Sequence, residues 1–380
     1  MRQKTSDLRQ LLASTILHVR SGRATSRTML ARAMGISAST TGLYVDQLIA
    51  SRHLNESGLE HGGMGRPKRK LGVSETPGWF AGVEFTADRM QITGVDFAGA
   101  ALASEEVRLH FRPTPADVEK VILHAITVLQ RRFSRPMLGI GVGAPGLVDT
   151  ANGISLRYDF IRGWENIPLG KLLAGHFEVP VVIENNLRAI AVAERWFGNR
   201  REENDYVIVG ARSGFGIASM QAGRLLHGAR HAAGEVGLWP WPLSGETPSK
   251  ELHHVLSAPM TYRRLAGLSH DAPVPDDLYA AFARLVHIPN GEPVWQEVVA
   301  DYARVLTCIQ MVLDPTVCLL HGPLTALGNR FCQAIMEACE KVAPVQQGLQ
   351  MHLECSRLGD EAGALGAACL AMEAWQPGHL

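Results

Sequence analysis

Between residues 79 and 321 one series of elements is written twice, and this repeat leaves few folds open. The first copy opens with three extended runs, Trp79–Phe85, Met90–Phe97 and Ala101–Leu109. A helix follows with Val118, Val121, Ile122, Ala125 and Leu129 on one side, then the strand-like Leu138–Val142 and Val179–Glu184. The second copy runs Tyr206–Gly210, Gly214–Gln221 and Arg224–Leu226, then helices, then Val317–His321. Strand-strand-strand-helix-strand, twice, predicts a duplicated α/β body of two lobes with a cleft suited to a small ligand.

The chain has 380 residues, enough for two or three units that each bury a core. No uninterrupted apolar run is long enough to span a bilayer, and MRQKTSDLRQ has no apolar segment behind its charges. The cytoplasm is therefore the expected compartment, with no membrane partner. The six cysteines, Cys308, Cys318, Cys332, Cys339, Cys355 and Cys369, form no CxxC pair and read as buried free thiols. The net charge of zero conceals a division: residues 1–73 carry +8 and residues 74–380 carry −8. A basic head on an acidic body implies that the head alone meets a polyanion.

Within that head, Leu8, Leu11, Leu12 and Ile16 recur at helical spacing. Ser26 can cap a second helix carrying Leu30, Ala33 and Met34, and Gly35 breaks it. Ser37 can cap a third, with Thr41, Val45, Leu48 and Ile49 on one face. Two short helices joined by a glycine turn make a helix-turn-helix, although an ordinary three-helix bundle has the same pattern. The next segment separates the two: Leu54-Asn55-Glu56, the turn His61–Gly65, then Arg66-Pro67-Lys68-Arg69-Lys70 with Leu71 and Val73 read as a hairpin wing with a basic strand. The expected DNA contacts are Ser37, Ser39, Thr40, Leu43 and Tyr44 at the start of the third helix, and Arg66, Lys68, Arg69 and Lys70 on the wing. Gly65-Arg66-Pro67 resembles the core of AT-hook peptides, which lie in narrow A·T minor grooves where negative potential attracts arginine. The third helix starts with no Lys or Arg, so base readout would rest on hydroxyls and apolar contacts, and affinity on phosphates and salt.

The body resembles the ROK family (repressors, open reading frames and kinases), which is built on the actin-like, ribonuclease-H-like ATPase fold. The matching segments, in family order, are Gly141–Asp149, Gly163-Trp164-Glu165-Asn166, Glu184-Asn185-Asn186 with Ala193-Glu194, Gly214–Gly223, Gly234-Glu235-Val236-Gly237 and Gly363–Ala368. The resemblance implies a winged helix-turn-helix over 1–75, a first lobe over 78–187 to which the final helix, 363–380, returns, and a second lobe over 188–362. It also implies a sugar-responsive repressor, assembled as a homodimer or dimer of dimers on double-stranded operator DNA.

Kinase chemistry needs a carboxylate base for the attacking hydroxyl and glycine-rich turns for the ATP phosphates. In family kinases the base is the aspartate of an Asn-Asp pair. This chain has Asn185-Asn186, and an amide cannot take that proton. The stretch at the first phosphate loop, Glu84–Arg89, has no glycine and adds Asp88, while Ser213-Gly214-Phe215-Gly216 partly keeps the second or simply forms a hairpin. At the family's zinc histidine stands Leu238, residues 239–260 lack cysteine, and His253-His254 alone are too few ligands. The expectation is a catalytically dead domain with no metal and no cofactor.

Asn166, Asn185, Asn186 and Glu235 match positions that the resemblance assigns to a sugar effector; strand-end capping is the alternative for the asparagine pair. Arg188, if it faced the cleft, would favour a sugar phosphate or sugar acid; on an outer helix face it would be a solvated charge. Trp239-Pro240-Trp241 stands where the zinc loop would begin. Two other readings stay open: an active ROK sugar kinase with an added head, and a regulator controlled by a protein partner.

Overall fold

The periodic Leu12, Ile16 and Val19 are buried on one face of the first helix, α1 (Arg2–Arg20). Ser26 accepts a hydrogen bond from the Met29 amide and so caps α2 (Arg27–Met34), which Gly35 ends in the left-handed region at φ 64°. Ser37 caps α3 (Ala38–Ala50) by accepting from the Thr40 amide at 3.1 Å, and Thr41, Val45 and Leu48 turn into the core. An antiparallel hairpin follows, β1 (Leu54–Glu60) with β2 (Lys68–Val73), pinned by the buried Leu54 and Leu71.

The computed structural model describes residues 2–60, 68–110, 112–198, 200, 203–241, 250–342 and 350–378. The wing turn with Gly65-Arg66-Pro67 lies outside the described residues. Chain contacts divide the protein into two units, Met1–Trp196 with Gly363–Leu380, and Phe197–Ala362.

In the first unit the head is joined by β3 (Trp79–Phe85), β4 (Arg89–Asp96), β5 (Ala101–Arg108), α4 (Pro115–Gln130) and β6 (Met137–Ala144). Three short strands follow, β7 (Leu147–Asp149), β8 (Ile154–Arg157) and β9 (Glu165–Ile167), then α5 (Leu169–Phe177), β10 (Val181–Asn185) and α6 (Asn186–Trp196). The sheet order is β10-β6-β3-β4-β5, with β3, β4 and β5 antiparallel and β3, β6 and β10 parallel. The helix α6, expected to open the second lobe at residue 188, stays wholly in the first unit. Its physical tie is close packing on the last helix of the chain, described below.

The second unit has β11 (Tyr206–Ala211), β12 (Phe215–Gln221), β13 (Arg224–Leu225), β14 (Pro240–Trp241), β15 (Lys250–Glu251), α7 (His253–Leu256), α8 (Ala258–Leu265), α9 (Leu278–Ala283), α10 (Pro293–Leu313), β16 (Val317–His321), α11 (Asn329–Val342) and β17 (Leu353–Cys355). Its main sheet runs β13-β12-β11-β16-β17. Each sheet therefore has its third strand at one edge, then the second, first, fourth and fifth, with the first three antiparallel and the rest parallel. The duplication read in the sequence is a duplication of topology.

The closing helix α12 (Ala362–Ala374) packs back on the first unit. A side chain at Gly141 of β6 would collide with the Ala367 carbonyl, and one at Gly366 with the Ala189 carbonyl of α6. Glycine on both sides lets backbone meet backbone. At its end, α12 holds the head. The Arg20 guanidinium, 9% exposed, donates to the Met372 carbonyl at 3.4 Å and lies over the Phe97 ring. The His53 ring stands 5.4 Å from both Phe97 and Trp375.

Candidate nucleic-acid interface and effector residues

The start of α3 is exposed. Ser37 and Ser39 are exposed, Thr40 and Tyr44 are half-buried, and Leu43 is 69% exposed. The Ser37 hydroxyl does more than cap the helix: its Oγ lies 2.9 Å from Ser39 Oγ and 2.8 Å from Thr40 Oγ1. Ser37 is thus a positioning group that links the two hydroxyls expected to face a groove. Arg69 and Lys70 are exposed on β2, and Arg69 is 3.3 Å from Glu56. Lys68 pairs with Glu60 through the backbone ladder.

Sequence reasoning passed over Arg27. Its Nη2 lies 2.7 Å from Asp46 of α3, its Nε lies 2.8 Å from Glu56 of β1, and its Nη1 donates to the Gly42 carbonyl. The Asp46 hydrogen bond raises its pKa against a smaller desolvation penalty. One planar cation thus fixes three parts of the head, a task suited to a guanidinium. The only sequence signal was a basic residue opening α2 with acids far along the chain.

In the first unit, the Asn185 side chain caps α6: its Oδ1 accepts from the Leu187 amide at 2.9 Å and the Arg188 amide at 3.3 Å, and its Nδ2 donates to the Gly146 carbonyl at 2.9 Å. These bonds leave it one N–H. Asn186, half-buried, accepts from the Leu187 amide and donates from Nδ2 to Glu84 Oε1 at 3.2 Å. It keeps one donor and one acceptor site. Asn166 is exposed, in the left-handed region at φ 51° that asparagine tolerates, and its neighbour Trp164 is anchored by an Nε1 bond to Ser155 Oγ at 2.8 Å. The stretch Glu84–Arg89 is a closed turn, with Thr86 Oγ1 donating to Asp88 at 2.6 Å and the Thr86 amide to the Arg89 carbonyl.

Arg188 meets neither expectation. It is 1% exposed and paired with Glu184 at 3.2 Å, so it is neither a solvated charge nor an open anion contact. Burial of an unpaired cation is costly, and the carboxylate one turn earlier neutralises it.

In the second unit, Glu235 lines a cavity of about 270 Å³ with Ile217, Ser219, Val236, Trp239 and Leu313. Among the described residues no cationic side chain lines it. Ser213 and Gly214 lie in the tight turn between β11 and β12, closed by the Arg212 amide on the Gly214 carbonyl, and Phe215 and Gly216 open β12. His253 Nδ1 accepts from the Phe215 amide at 3.0 Å, and burial lowers its pKa, so the neutral ring props this turn. Among the described residues no three His, Cys, Asp or Glu side chains converge as metal ligands would.

The fold is thus a pair of α/β units with the same sheet topology, the first of which carries a small basic head. Residues 80–374 match the ROK family, and the chain belongs to it. It is 23% identical to the xylose repressor of Caldicellulosiruptor bescii over 95% of this chain and 94% of that one. A ROK family transcriptional regulator described as a homolog of the Escherichia coli Mlc protein superposes with a TM-score of 0.77 at 19% identity, covering 96% of both chains. A ROK family glucokinase from Streptomyces griseus, solved with glucose and AMPPNP, gives 0.62 at 20% identity, covering 78% of this chain and all (100%) of its own. The kinase matches part of this chain, whereas the regulator spans nearly all of it. No helix among the described residues is long and apolar enough to cross a membrane.

Proposed function

We propose that this protein is a sequence-specific DNA-binding transcriptional regulator, a repressor of carbohydrate genes whose kinase-like body senses a sugar without phosphorylating it. The observation that carries the reading is the outward face of α3. Leu43 stands 69% exposed beside the Ser39 and Thr40 hydroxyls, while the opposite face of the helix is buried. An exposed leucine one turn after two hydroxyls suits a thymine methyl and base edges in a major groove. In this reading the head is a winged helix-turn-helix, with Tyr44 completing the helix contacts and Arg66, Lys68, Arg69 and Lys70 meeting phosphates or the minor groove. A homodimer or dimer of dimers would place two heads on two half-sites, about one helical turn apart.

In the first unit the effector contacts would be Asn166 and Asn186, with Asn185 holding the turn; in the second unit the contact would be Glu235. A neutral sugar is favoured over a sugar phosphate, because Arg188 is paired with Glu184 and, among the described residues, the cavity at Glu235 has no cation in its lining. Catalysis is absent in this reading because the Asn186 amide cannot accept a proton from a sugar hydroxyl.

The test is selection of duplexes from a random pool by the purified chain, followed by anisotropy titration at fixed salt with and without neutral sugars. Enrichment of a palindromic site, weakened by a sugar, supports the reading. No enrichment, or ATP-dependent phosphorylation of a hexose, overturns it.

A further inference from the structure

Six thiols lie in the last quarter of the chain, and the fold brings two of them together. Cys332 is in the first turn of α11 and Cys355 ends β17, 23 residues later in sequence. Their sulfurs are 3.5 Å apart. Cys332 is buried and Cys355 half-buried, so the pair has one sheltered and one accessible member. By contrast, Cys318, Cys339 and Cys369 are buried and their thiols are pushed up in pKa, mainly by burial.

We propose that Cys332 and Cys355 are a reversible redox site, oxidised by a peroxide to an intrachain disulfide and restored by a dithiol reductant. The sulfurs need to close from 3.5 Å to about 2.05 Å. That movement is within reach of side-chain rotation at the end of an edge strand and the first turn of a helix.

The chemistry has a direction. Cys355 is the more accessible sulfur, and its contact with Cys332 lowers its thiol pKa, while the same contact and burial raise that of Cys332. Thiolate is the nucleophile, so Cys355 reacts first. Its sulfur attacks one peroxide oxygen, the O–O bond breaks, and hydroxide leaves to be protonated as water. Cys355 is then a sulfenic acid. Cys332 gives up its proton and attacks that sulfur; the S–S bond forms, the S–O bond breaks, and a second water leaves. Two thiols have lost two electrons and two protons, and the peroxide has become two waters. In a reducing compartment the resting state is the dithiol, and such a pair acts as a sensor rather than a staple.

The product ties α11 to β17. The test treats the reduced full-length protein with hydrogen peroxide, blocks free thiols, and digests it without reductant for mass spectrometry. The expected result is a linked Cys332–Cys355 peptide pair, lighter by two hydrogen atoms and released by dithiothreitol. In Cys332→Ser, Cys355 stops at the sulfenic acid and is trapped by dimedone; in Cys355→Ser, Cys332 stays free. The proposal fails if both wild-type thiols remain blockable while Cys308 is oxidised, or if the links formed join other cysteines or separate chains. The wild-type result stands without either variant.

Discussion

The guanidinium carbon of Arg20 lies 4.5 Å from the centre of the Phe97 ring, joining the end of the first head helix to the first strand layer of the body. Its Nη1 reaches the Met372 carbonyl, and its Nε and Nη2 have no hydrogen-bond partner among the described residues. Burial pulls its pKa down to about 10, against the pull of Cys369, Glu373 and Asp96. The side chain therefore contributes shape and a ring contact more than a hydrogen-bond network.

Arg20→Met should then keep the fold, with a stability change within about 1 kcal/mol, since an apolar side chain of similar length can replace a buried cation at little cost. Arg20→Ala should lose about 2–4 kcal/mol by opening a cavity under the head. Chemical denaturation of both variants checks this. Equal losses for Met and Ala would show that the charge itself is indispensable.

Stability should fall in mild acid. His53 is depressed in pKa by burial and by Arg20, His18 by burial and by Arg23, and His253 by burial. A histidine whose folded pKa is lowered favours the fold in its neutral form. Its contribution is complete above the ordinary imidazole value and is lost as pH drops below it. Urea midpoints measured at pH 7.5 and 5.5 should show the decline, and His53→Phe, which keeps a ring between Phe97 and Trp375, should reduce it.

Arg27→Ala should destabilise the head by about 1–2 kcal/mol, as two part-exposed ion pairs and a carbonyl contact go together. In the proposed function it also weakens operator binding, because α3 and the wing lose their common anchor. Lysine should restore only part of the loss, having no planar fork for Asp46 and Glu56. Thermal denaturation and anisotropy titration read the two effects separately.

Asn186→Asp restores the residue type of a kinase base but sets a carboxylate where the amide now donates to Glu84 at 3.2 Å. Two carboxylates that close cannot both ionise cheaply, so one keeps a proton above its ordinary pKa. The variant should be less stable than the parent by about 1–3 kcal/mol at pH 8 and closer to it at pH 5, and should not phosphorylate hexoses. Turnover of ATP on a sugar by this variant would mean that the remaining machinery is intact.

What the sequence made legible is what local pattern encodes. Trp79–Phe85 and Val317–His321 form over the residues expected, because each is a short apolar run bounded by turn residues. Val181–Asn185 starts later than its apolar run because Pro180 has no amide for the ladder. Pairings across long sequence separations stayed hidden. The i to i+4 spacing of Glu184 and Arg188 was visible, but their joint burial depends on tertiary packing. Arg27 with Glu56, and Cys332 with Cys355, meet only once the chain has folded. Asn185 shows what a motif leaves unsaid: of its four hydrogen-bonding sites, two accept from amides of α6 and one donates to the Gly146 carbonyl.

The seating of the closing helix against Gly141 has a bearing on how the protein is made. Translation delivers the head and the first sheet before the second unit, yet the surface that covers that sheet and grips Arg20 belongs to a helix made after that unit. Until α12 has been made, the first unit lacks a wall, while the whole of Phe197–Ala362 has already been synthesised. The first unit is thus completed only after the second has been made, and a stop codon anywhere before α12 strips the head of its seat.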